Sequence, residues 1–415
     1  MKLILLVLST AMIWGCGETS KSFDGPLMTI LTGPAGEGAQ PNLFVMDDGR
    51  PLLSWVGFLN DTTDALMFSV YENGSWSKTK TAAQGGDWFV NWADFPSMAV
   101  FSGQDKAMAG HWLQKSDKGT FDYDVRIAQS NDGGNTWDES FIIHRDSIAA
   151  EHGFVTMVPV SEDRLFATWL DGRNTKGDAM ADGEHGHHGA MTIRGAQFDR
   201  DGNLYNEVEL DTKTCDCCQT DAAMTSQGIV VVYRDRSDDE IRDIYIVREQ
   251  ADGWTEPKTV HHDGWKIAGC PVNGPAIAAK GDFVALAWHS EANSEPKVQL
   301  VYSRDAGATF SIPIRIDNGS PMGRVDVIIL SDGSTFVTWL ENQEQGAVII
   351  GAHVDAHRAI IDKTPLVNSD AARSSGFPVL ESTKDGLMLA WTEVSSSTTS
   401  VKTGLIPFNR LGLSK

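Results

Sequence analysis

Four cysteine side chains, grouped in two short segments, are the most reactive groups that the sequence offers. Cys215, Cys217 and Cys218 lie close together, and Cys270 follows in the segment Gly-Cys-Pro. An even number of cysteines in an oxidising compartment is typical of disulfides, and disulfides are the first interpretation of both segments. Thiolates are also the soft ligands that zinc and Cu(I) prefer, so a zinc or copper site is the alternative.

A second group of soft ligands stands in a segment rich in histidine, glycine and methionine. If a metal is bound there, imidazole and thioether groups together favour copper over calcium or magnesium. A flexible loop without metal is the alternative, because such tracts need no packed core. The candidate metal ligands in the segment are His185, His187 and His188, with Met180 and Met191 beside them.

Arginine side chains recur close to aromatic residues, where their guanidinium groups could hold an acidic ligand. A guanidinium fork matches two oxygens of a carboxylate or phosphate, so these arginines are candidate clamps. Carboxylates in similar positions could act as acid or base in hydrolysis. Turns and salt bridges between repeats are the structural alternative. The candidate ligand-binding residues are Arg173, Arg234, Arg236, Arg324, Asp326, Asn273 and His289, and the candidate catalytic residues are Asp171 and Asp221.

The elements that must position these residues follow from an internal repeat. A short apolar strand, a turn with Gly or Asp, and a second strand ending in an aromatic residue recur seven times, 51 to 64 residues apart. This spacing is typical of four-stranded propeller blades. The pattern predicts an all-β propeller with seven blades, and six blades with one decorating unit is the alternative. The repeat aromatics are Trp55, Trp112, Trp169, Tyr233, Trp288, Trp339 and Trp391.

The two ends of the chain are predicted to complete one blade together. The last repeat lacks a fourth strand after Leu405, and residues 27–31 form a short apolar run before the first repeat. An N-terminal strand in the last blade would close the ring and leave no open sheet edge. In such a ring the first strands start, and the second strands end, at one common mouth. We therefore expect the polar candidates to converge there.

Two segments carry the pattern Ser-x-Asp-x-Gly-x-Thr followed by an aromatic residue, and we call them the Asp-box segments. They span residues 130–137 and 303–310. With these boxes the chain resembles the sialidase and BNR-repeat superfamily of β-propellers. The resemblance implies boxes on the face opposite the active site. Active sialidases also share an arginine triad, a tyrosine paired with glutamate, an acid aspartate and an early Arg-Ile-Pro element. This chain lacks that element near its N-terminus, and Tyr233 is the one tyrosine at a repeat aromatic position.

The first residues predict export and attachment to a membrane. Lys2 precedes an apolar run that is too short to span a bilayer as a mature helix, as in a signal peptide. Residues 13–16, Ile-Trp-Gly-Cys, resemble a bacterial lipoprotein cleavage box, and an ordinary secretory signal is the alternative. We predict a signal peptide over residues 1–15, lipidation of Cys16, a polar tether over residues 16–25 and a single propeller domain over residues 26–415.

Charge and export together limit the possible functions. The formal net charge of −22 argues against a nucleic-acid partner, because a phosphate backbone needs a basic footprint. The lipid would be the only membrane anchor of a protein in the bacterial cell envelope, on the periplasmic side or the outer surface. The first hypothesis is binding of a small anionic or glycan ligand at the mouth. The alternatives are a sialidase-like exo-glycosidase, and a copper-binding or metalloprotein-assembly protein.

Overall fold

Seven antiparallel sheets form the blades of a closed propeller. The computed structural model describes residues 26–34, 36–103, 106–176 and 189–413. Within each sheet the strands pair in order from the innermost to the outermost. The innermost strands contact one another in sequence around the ring, and that of the last blade contacts that of the first. The predicted seven-bladed propeller is confirmed and the six-bladed alternative is wrong, because each repeat aromatic lies in the second strand of its own sheet.

The strands of the first three blades correspond to the first three repeats found in the sequence. The N-terminal strand β1 precedes them and belongs to the last blade. The fourth strand of blade one is split into two short pieces that both pair with the third strand. The bounds are β1 Thr29–Leu31; blade one, β2 Gly38–Val45, β3 Pro51–Asn60, β4 Thr63–Glu72, β5 Ser75–Trp76 and β6 Lys80–Gly85; blade two, β7 Ser97–Val100, β8 Met108–Lys115, β9 Tyr123–Ser130 and β10 Phe141–Ile142; blade three, β11 His152–Ser161, β12 Arg164–Asp171, β13 Thr192–Asp199 and β14 Leu204–Asp211.

The remaining four blades repeat the same arrangement, and blade four again has a divided outer strand. Their bounds are blade four, β15 Asp221–Thr225, β16 Gly228–Arg234, β17 Ile244–Gln250, β18 Gly253–Trp254 and β19 Lys258–Thr259; blade five, β20 Ala276–Lys280, β21 Phe283–Ser290, β22 Lys297–Ser303 and β23 Ile314–Arg315; blade six, β24 Pro321–Ile329, β25 Thr335–Asn342, β26 Ala347–Val354 and β27 Ile360–Ser369; blade seven, β28 Val379–Ser382, β29 Gly386–Val394 and β30 Thr399–Pro407.

Helical structure in the described residues is limited to short turns. None of the helices found there has the length and apolar character needed to cross a membrane. The 3₁₀ turns are Arg173–Thr175, Ala292–Ser294, Arg373–Ser375 and Phe408–Leu411.

The N-terminal strand closes the ring, as the sequence predicts. β1 pairs antiparallel with β30, with Thr29 opposite Leu405 and Leu31 opposite Thr403. Strand β1 therefore supplies the fourth strand that the last repeat lacks. This pairing ties the two ends of the chain into one sheet, so the ring cannot open without breaking a β ladder.

The core lies between neighbouring blades, where the aromatic residues of the second strands are buried. Trp169, Trp288 and Trp339 are inaccessible to solvent. One apolar cluster joins Leu113 of blade two to Trp169 of blade three, and the other clusters join successive blades in the same way. Burial of large aromatic surfaces stabilises each blade only when its neighbour is present. The ring therefore folds as one cooperative unit and holds the loops of different blades at fixed positions.

Three of the first strands contain a bulge near the start. The register shifts in β2, β11 and β24, and each shift contains a residue with positive φ. A positive φ is strained for a residue with a side chain, and such strain is concentrated at functional and structural special sites. The residues concerned are Gln40, Phe154 and Arg324, with φ of 57°, 55° and 54°.

Candidate functional site

The mouth of the propeller is the end of the ring at which first strands start and second strands end. The strand pairs place these two positions side by side, as with His152 opposite Asp171 in blade three and Pro321 opposite Glu341 in blade six. A central channel of about 450 Å³ is lined by residues from the first-strand segments of all seven blades. Side chains that are distant in sequence thus surround one axis.

Three carboxyl groups, those of Asp221, Asp326 and Glu381, line the channel. Burial raises the pKa of Asp221 and of Asp326 to about 7, and burial and the Asp326 charge raise the pKa of Glu381 to about 8. Asp221 Oδ2 accepts the Ile277 N–H at 2.8 Å, and Asp326 Oδ2 accepts the Leu380 N–H at 2.7 Å. Each aspartate therefore links its blade to the next. A carboxyl group that is partly protonated at neutral pH also suits a general acid.

Arg234 lies behind the mouth with its guanidinium group occupied by backbone carbonyls. It is 1% exposed and donates to the carbonyl oxygens of Asn273, Arg242 and His289 at 2.5–2.8 Å. The guanidinium also packs over the Trp265 ring, 4.7 Å from its centroid. It forms no ion pair with a carboxylate in the described part of the chain. Arg234 therefore holds blades four and five together and does not offer a free fork to a ligand.

Arg324 is also buried and already bonded. Its guanidinium donates to Ser375 Oγ, to the Gly376 carbonyl and to the Ala372 carbonyl at 2.7, 2.8 and 3.3 Å. It packs over the Trp92 ring at 5.0 Å. Burial lowers the pKa of Arg324 to about 10. Its contacts fix the loop that leads into blade seven.

Arg173 and Asp171 neutralise each other at the end of blade three. Arg173 donates to both oxygens of Asp171 at 2.7 Å and lies 3.0 Å from Asp146 and 3.3 Å from Glu207. Asp171 also accepts the indole N–H of Trp169 at 2.8 Å. Burial raises the pKa of Asp171, but the hydrogen bonds from Arg173 more than offset it, so the pKa lies below its ordinary value. Asp171 is thus held as a carboxylate by these contacts, and a catalytic role for it stays a prediction.

Arg236 belongs to a partly exposed ion-pair network. Its guanidinium contacts Asp216 and Glu240, both at 2.8 Å, and Glu240 also pairs with Arg242 at 2.8 Å. All four predicted arginine clamps therefore bind groups of the protein itself. A role for them in holding a ligand stays a prediction.

The four described cysteines converge at the mouth, and we call them the thiol cluster. Cys215 Sγ lies 3.9 Å from Cys217 Sγ and 2.6 Å from Cys218 Sγ, and the three sulfurs lie within 4.8 Å of one another. The neighbouring Cys217 thiol lowers the pKa of Cys270 to about 7, whereas the three sulfurs that lie within 4.8 Å of one another are those of Cys215, Cys217 and Cys218. None of these four cysteines forms a disulfide. Cys215 and Cys218 have the C-x-x-C spacing, and this spacing is the signal in the sequence from which their proximity could have been predicted.

Two buried arginines lie close enough to the thiol cluster for their charges to act on it. Burial raises the pKa of Cys218, but hydrogen bonds from Cys215 and Cys217 and the Arg234 charge bring it well below the ordinary value. Arg242, whose side chain is 2% exposed, pairs with Glu240 through Nη2, but its Nε and Nη1 have no hydrogen-bond partner. Arg242 was missed in the sequence, because it lies beyond the turn that follows Arg236. A buried cation with unpaired N–H groups favours a negatively charged neighbour.

Of the other candidate ligand residues, Asn273 has structural partners, whereas both ring nitrogens of buried His289 have no hydrogen-bond partner. Asn273 Oδ1 accepts the Arg324 N–H at 2.8 Å, and its Nδ2 donates to the Met322 carbonyl at 3.2 Å, which joins blades five and six. His289 is fully buried, and burial lowers its pKa to about 3, so the imidazole is neutral. The predicted lipidation site and histidine ligands lie outside the described residues: Cys16, His185, His187 and His188.

A tyrosine–carboxylate group between blades two and three was also missed. The Tyr123 hydroxyl lies 2.9 Å from Asp94 Oδ2 and 3.0 Å from Glu151 Oε1. Burial and the Asp94 charge raise the pKa of Glu151 to about 8. Tyr123 is inaccessible to solvent, so it joins blades and is not open to a substrate. Tyr233, the tyrosine singled out by the repeat, instead bonds Asp211 at 2.5 Å.

Fold and site together define a seven-bladed β-propeller with a thiol cluster at its mouth. No protein-family model and no curated protein matches the sequence. Solved structures to which the chain is similar include the K499G mutant of NanB sialidase from Streptococcus pneumoniae, with 12% identity, a TM-score of 0.46, and coverage of 94% of this chain and 72% of that one.

Two further similar structures are the Hadza microbial sialidase Hz136 and the α-L-arabinofuranosidase Arb93A from Fusarium graminearum. The first has 14% identity and a TM-score of 0.47, and covers 84% of this chain and 74% of that one. The second has 11% identity and a TM-score of 0.49, and covers 93% of this chain and 98% of that one. Sialidases are thus among the similar structures, as the Asp-box segments predict. Likeness at this level concerns the fold, and the function has to be argued from the site.

Proposed function

We propose that this propeller is an exported, lipid-anchored protein of the cell envelope that binds a soft metal ion, Cu(I), in the thiol cluster. The supporting observation is the convergence of the Cys215, Cys217 and Cys218 sulfurs within 4.8 Å of one another. Soft thiolates prefer Cu(I) and zinc among the available metals. Copper is the choice here, because three thiols converge, two of them buried and Cys217 partly exposed, and Cu(I) accepts a low coordination number.

Charge supports the same proposal. A metal–thiolate centre carries net negative charge, and buried negative charge requires a cation beside it. The charge of Arg234 lowers the pKa of Cys218, that of Arg242 lowers the pKa of Cys270, and Arg242 keeps two nitrogens without a hydrogen-bond partner. The thiolate is the form that binds metal, and these two cations favour it, whereas burial raises the pKa of Cys215 to about 12.

Geometry tests how a metal would fit. In a trigonal centre with metal–sulfur bonds of about 2.3 Å, the three sulfurs lie about 4.0 Å apart. The Cys215–Cys217 sulfur distance is 3.9 Å, whereas the Cys215–Cys218 distance of 2.6 Å would have to widen. A disulfide between Cys215 and Cys218 is the competing state. Exposed Cys270 would be the first ligand to meet an incoming ion.

The decisive experiment is a Cu(I) titration of the reduced protein, without its signal segment, against a chromophoric Cu(I) chelator under anaerobic conditions. One Cu(I) per chain is expected, and Cys217→Ser is expected to weaken binding on the order of a hundredfold or more. Ser130→Ala is the control, because it removes a buried hydroxyl of an Asp-box segment on the opposite face. Equal Cu(I) affinity in wild type and Cys217→Ser, or a persistent Cys215–Cys218 disulfide with no copper bound after reduction, would contradict the proposal.

An anionic or glycan ligand in the channel is the second candidate, and Asp221 is the observation in its favour. Its pKa of about 7 is that of a group able to donate a proton at neutral pH. Hydrolysis of a fluorogenic sialoside that is lost in Asp221→Asn, with Asp282→Asn as a control on the rim away from the mouth, would support an exo-glycosidase. The absence of any hydrolysis by the wild-type protein would leave the metal proposal as the better one.

A further inference from the structure

The cysteines of the thiol cluster are graded from the surface of the mouth to the interior. Cys270 is exposed, Cys217 is partly exposed, and both Cys215 and Cys218 are buried. The Cys215 sulfur lies 3.9 Å from that of Cys217 and 2.6 Å from that of Cys218. A bond between sulfurs that is formed at the surface could therefore be passed inward from one thiol to the next.

Cys270 is the thiol best placed to react with a molecule from solvent. A thiolate, and not a thiol, attacks a disulfide, and the most effective attacking thiol has a pKa close to the ambient pH. The neighbouring Cys217 thiol lowers the pKa of Cys270 to about 7, and the Arg242 charge acts in the same direction. An exposed thiolate is therefore well populated at neutral pH.

The buried pair is arranged to end such an exchange. Cys215 and Cys218 have the C-x-x-C spacing of dithiols that are oxidised and reduced reversibly. Their sulfurs are 2.6 Å apart, so a disulfide bond of about 2.05 Å needs an approach of only about 0.6 Å. Burial raises the pKa of Cys218, but hydrogen bonds from its two neighbouring thiols and the Arg234 charge bring it well below the ordinary value. Burial raises the pKa of Cys215 to about 12, so the pair combines one thiolate with one thiol.

We propose that the thiol cluster exchanges with low-molecular-weight disulfides and stores the oxidation as a reversible Cys215–Cys218 disulfide. This activity goes beyond metal binding and needs no metal. For a substrate R–S–S–R, the sulfur–sulfur bond breaks and both halves leave as R–SH. Two thiols of the protein are oxidised in return, so two electrons pass from the protein to the substrate. On the function proposed above, the new disulfide would also withdraw two copper ligands.

The exchange begins at Cys270 and ends at the buried pair. The Cys270 thiolate attacks one substrate sulfur and releases R–S⁻, which takes a proton from solvent. Cys217 attacks the Cys270 sulfur and gives its proton to the second R–S⁻. The Cys218 thiolate attacks the Cys217 sulfur, which lies within 4.8 Å, and frees Cys270 as a thiolate. Cys215 then attacks the Cys218 sulfur and passes its proton to Cys217.

Glutathione disulfide tests the proposal on the reduced protein, under anaerobic conditions and with a chelator that keeps it free of metal. The wild type is expected to release two glutathione molecules per chain and to retain none. Mass spectrometry of its peptides should show the Cys215–Cys218 disulfide. The exchange rate should level off above about pH 7, near the pKa of Cys270, whereas that of an ordinary thiol levels off above about pH 8.5.

Two variants at accessible positions separate the first steps, and neither removes a buried side chain. Cys270→Ser should slow the exchange at least tenfold, because the exposed thiolate is lost. Cys217→Ser should retain one glutathione molecule on Cys270, because the next thiol along the path is missing. Ser130→Ala is again the control on the opposite face and should react as the wild type does.

The proposal is overturned if Cys270→Ser reacts at the wild-type rate, or if Cys217→Ser retains no glutathione. It is also overturned if the wild type keeps glutathione bound and forms no Cys215–Cys218 disulfide. Because no metal is present in this experiment, such results would leave the copper proposal standing. Failure of the reduced protein to bind Cu(I) would equally leave the exchange activity standing.

Discussion

The Asp-box turns and the mouth of the propeller differ in the sequence distance of the hydrogen bonds that shape them. On the face that carries the Asp-box segments, two turns 173 residues apart have the same hydrogen bonds. Ser130 Oγ accepts the Gly134 N–H at 2.8 Å, and Ser303 Oγ accepts that of Gly307 at 2.9 Å. In both turns the aspartate two residues after the serine accepts the threonine N–H at 2.9 Å. Every partner in these bonds lies within four residues in sequence.

At the mouth the partners are distant in sequence, and several polar atoms have none. Arg234 bonds carbonyls up to 55 residues away, and Arg324 bonds groups 48 to 52 residues away. Arg242 and His144 keep unpaired nitrogens in the interior. The hydrogen bonds that shape the Asp-box turns are thus local, whereas the arginines of the mouth link neighbouring blades and Arg242 keeps nitrogens that a ligand could satisfy.

The sharpest way to test this difference is to remove a buried cation from the mouth. Arg234→Met leaves three buried carbonyl oxygens without donors, and we expect the free energy of unfolding to fall by about 3–5 kcal/mol. Urea denaturation measures it. Arg236→Met is the control, because Arg236 forms partly exposed ion pairs worth about 1 kcal/mol or less. Similar losses in the free energy of unfolding for both variants would contradict the role of Arg234 in joining blades four and five.

The channel carboxyls should make stability depend on pH in the direction opposite to that of ordinary ion pairs. Glu381 has a pKa of about 8 in the folded chain, above its unfolded value of 4.5, so the folded state holds the proton more tightly. Its contribution is fully present below pH 4.5 and is lost as the pH rises through about 8. Glu381→Gln should remove a loss in the free energy of unfolding of roughly 3–4 kcal/mol between pH 5 and 8.

Denaturation at a series of pH values checks this prediction. Glu393→Gln is the matched control on the same blade, because Glu393 is 56% exposed beside Lys402. The control should keep the wild-type pH dependence. An unchanged slope in Glu381→Gln would show that the charged form of this side chain is accommodated in the channel without cost.

The same contrast explains what the sequence could predict. The blade count, the closing strand and the Asp-box turns depend on patterns within one repeat, so the amino-acid sequence alone is enough to predict them. The mouth depends on which residues of different blades meet. The sequence indicated that Arg173, Arg234, Arg236 and Arg324 lie near the mouth, yet their partners are carbonyls and carboxylates whose approach depends on the packing of neighbouring blades.

The sequence places Cys215, Cys217 and Cys218 within four residues, and their sulfurs lie close together. That Cys270 joins them stays a prediction from the adjacency of two blades. The stacking of His144 on His152 could not be predicted, because these residues carry no motif and are separated by a loop. Unpaired buried nitrogen atoms become visible only when burial and hydrogen bonding are known atom by atom.

The smallest effect, and the one that best tests the equivalence of the two turns, comes from the buried serine of each Asp-box segment. Ser130→Ala and Ser303→Ala each leave a buried glycine N–H without its acceptor, Gly134 and Gly307 respectively. A buried N–H that loses its partner costs about 1–2 kcal/mol, so both variants should lose stability by similar amounts in urea denaturation. The double variant should lose the sum of the two single losses in the free energy of unfolding, because sites that share no partner are additive. A loss in one turn but not in the other would mean that the blade around the box, rather than the local turn, determines its stability.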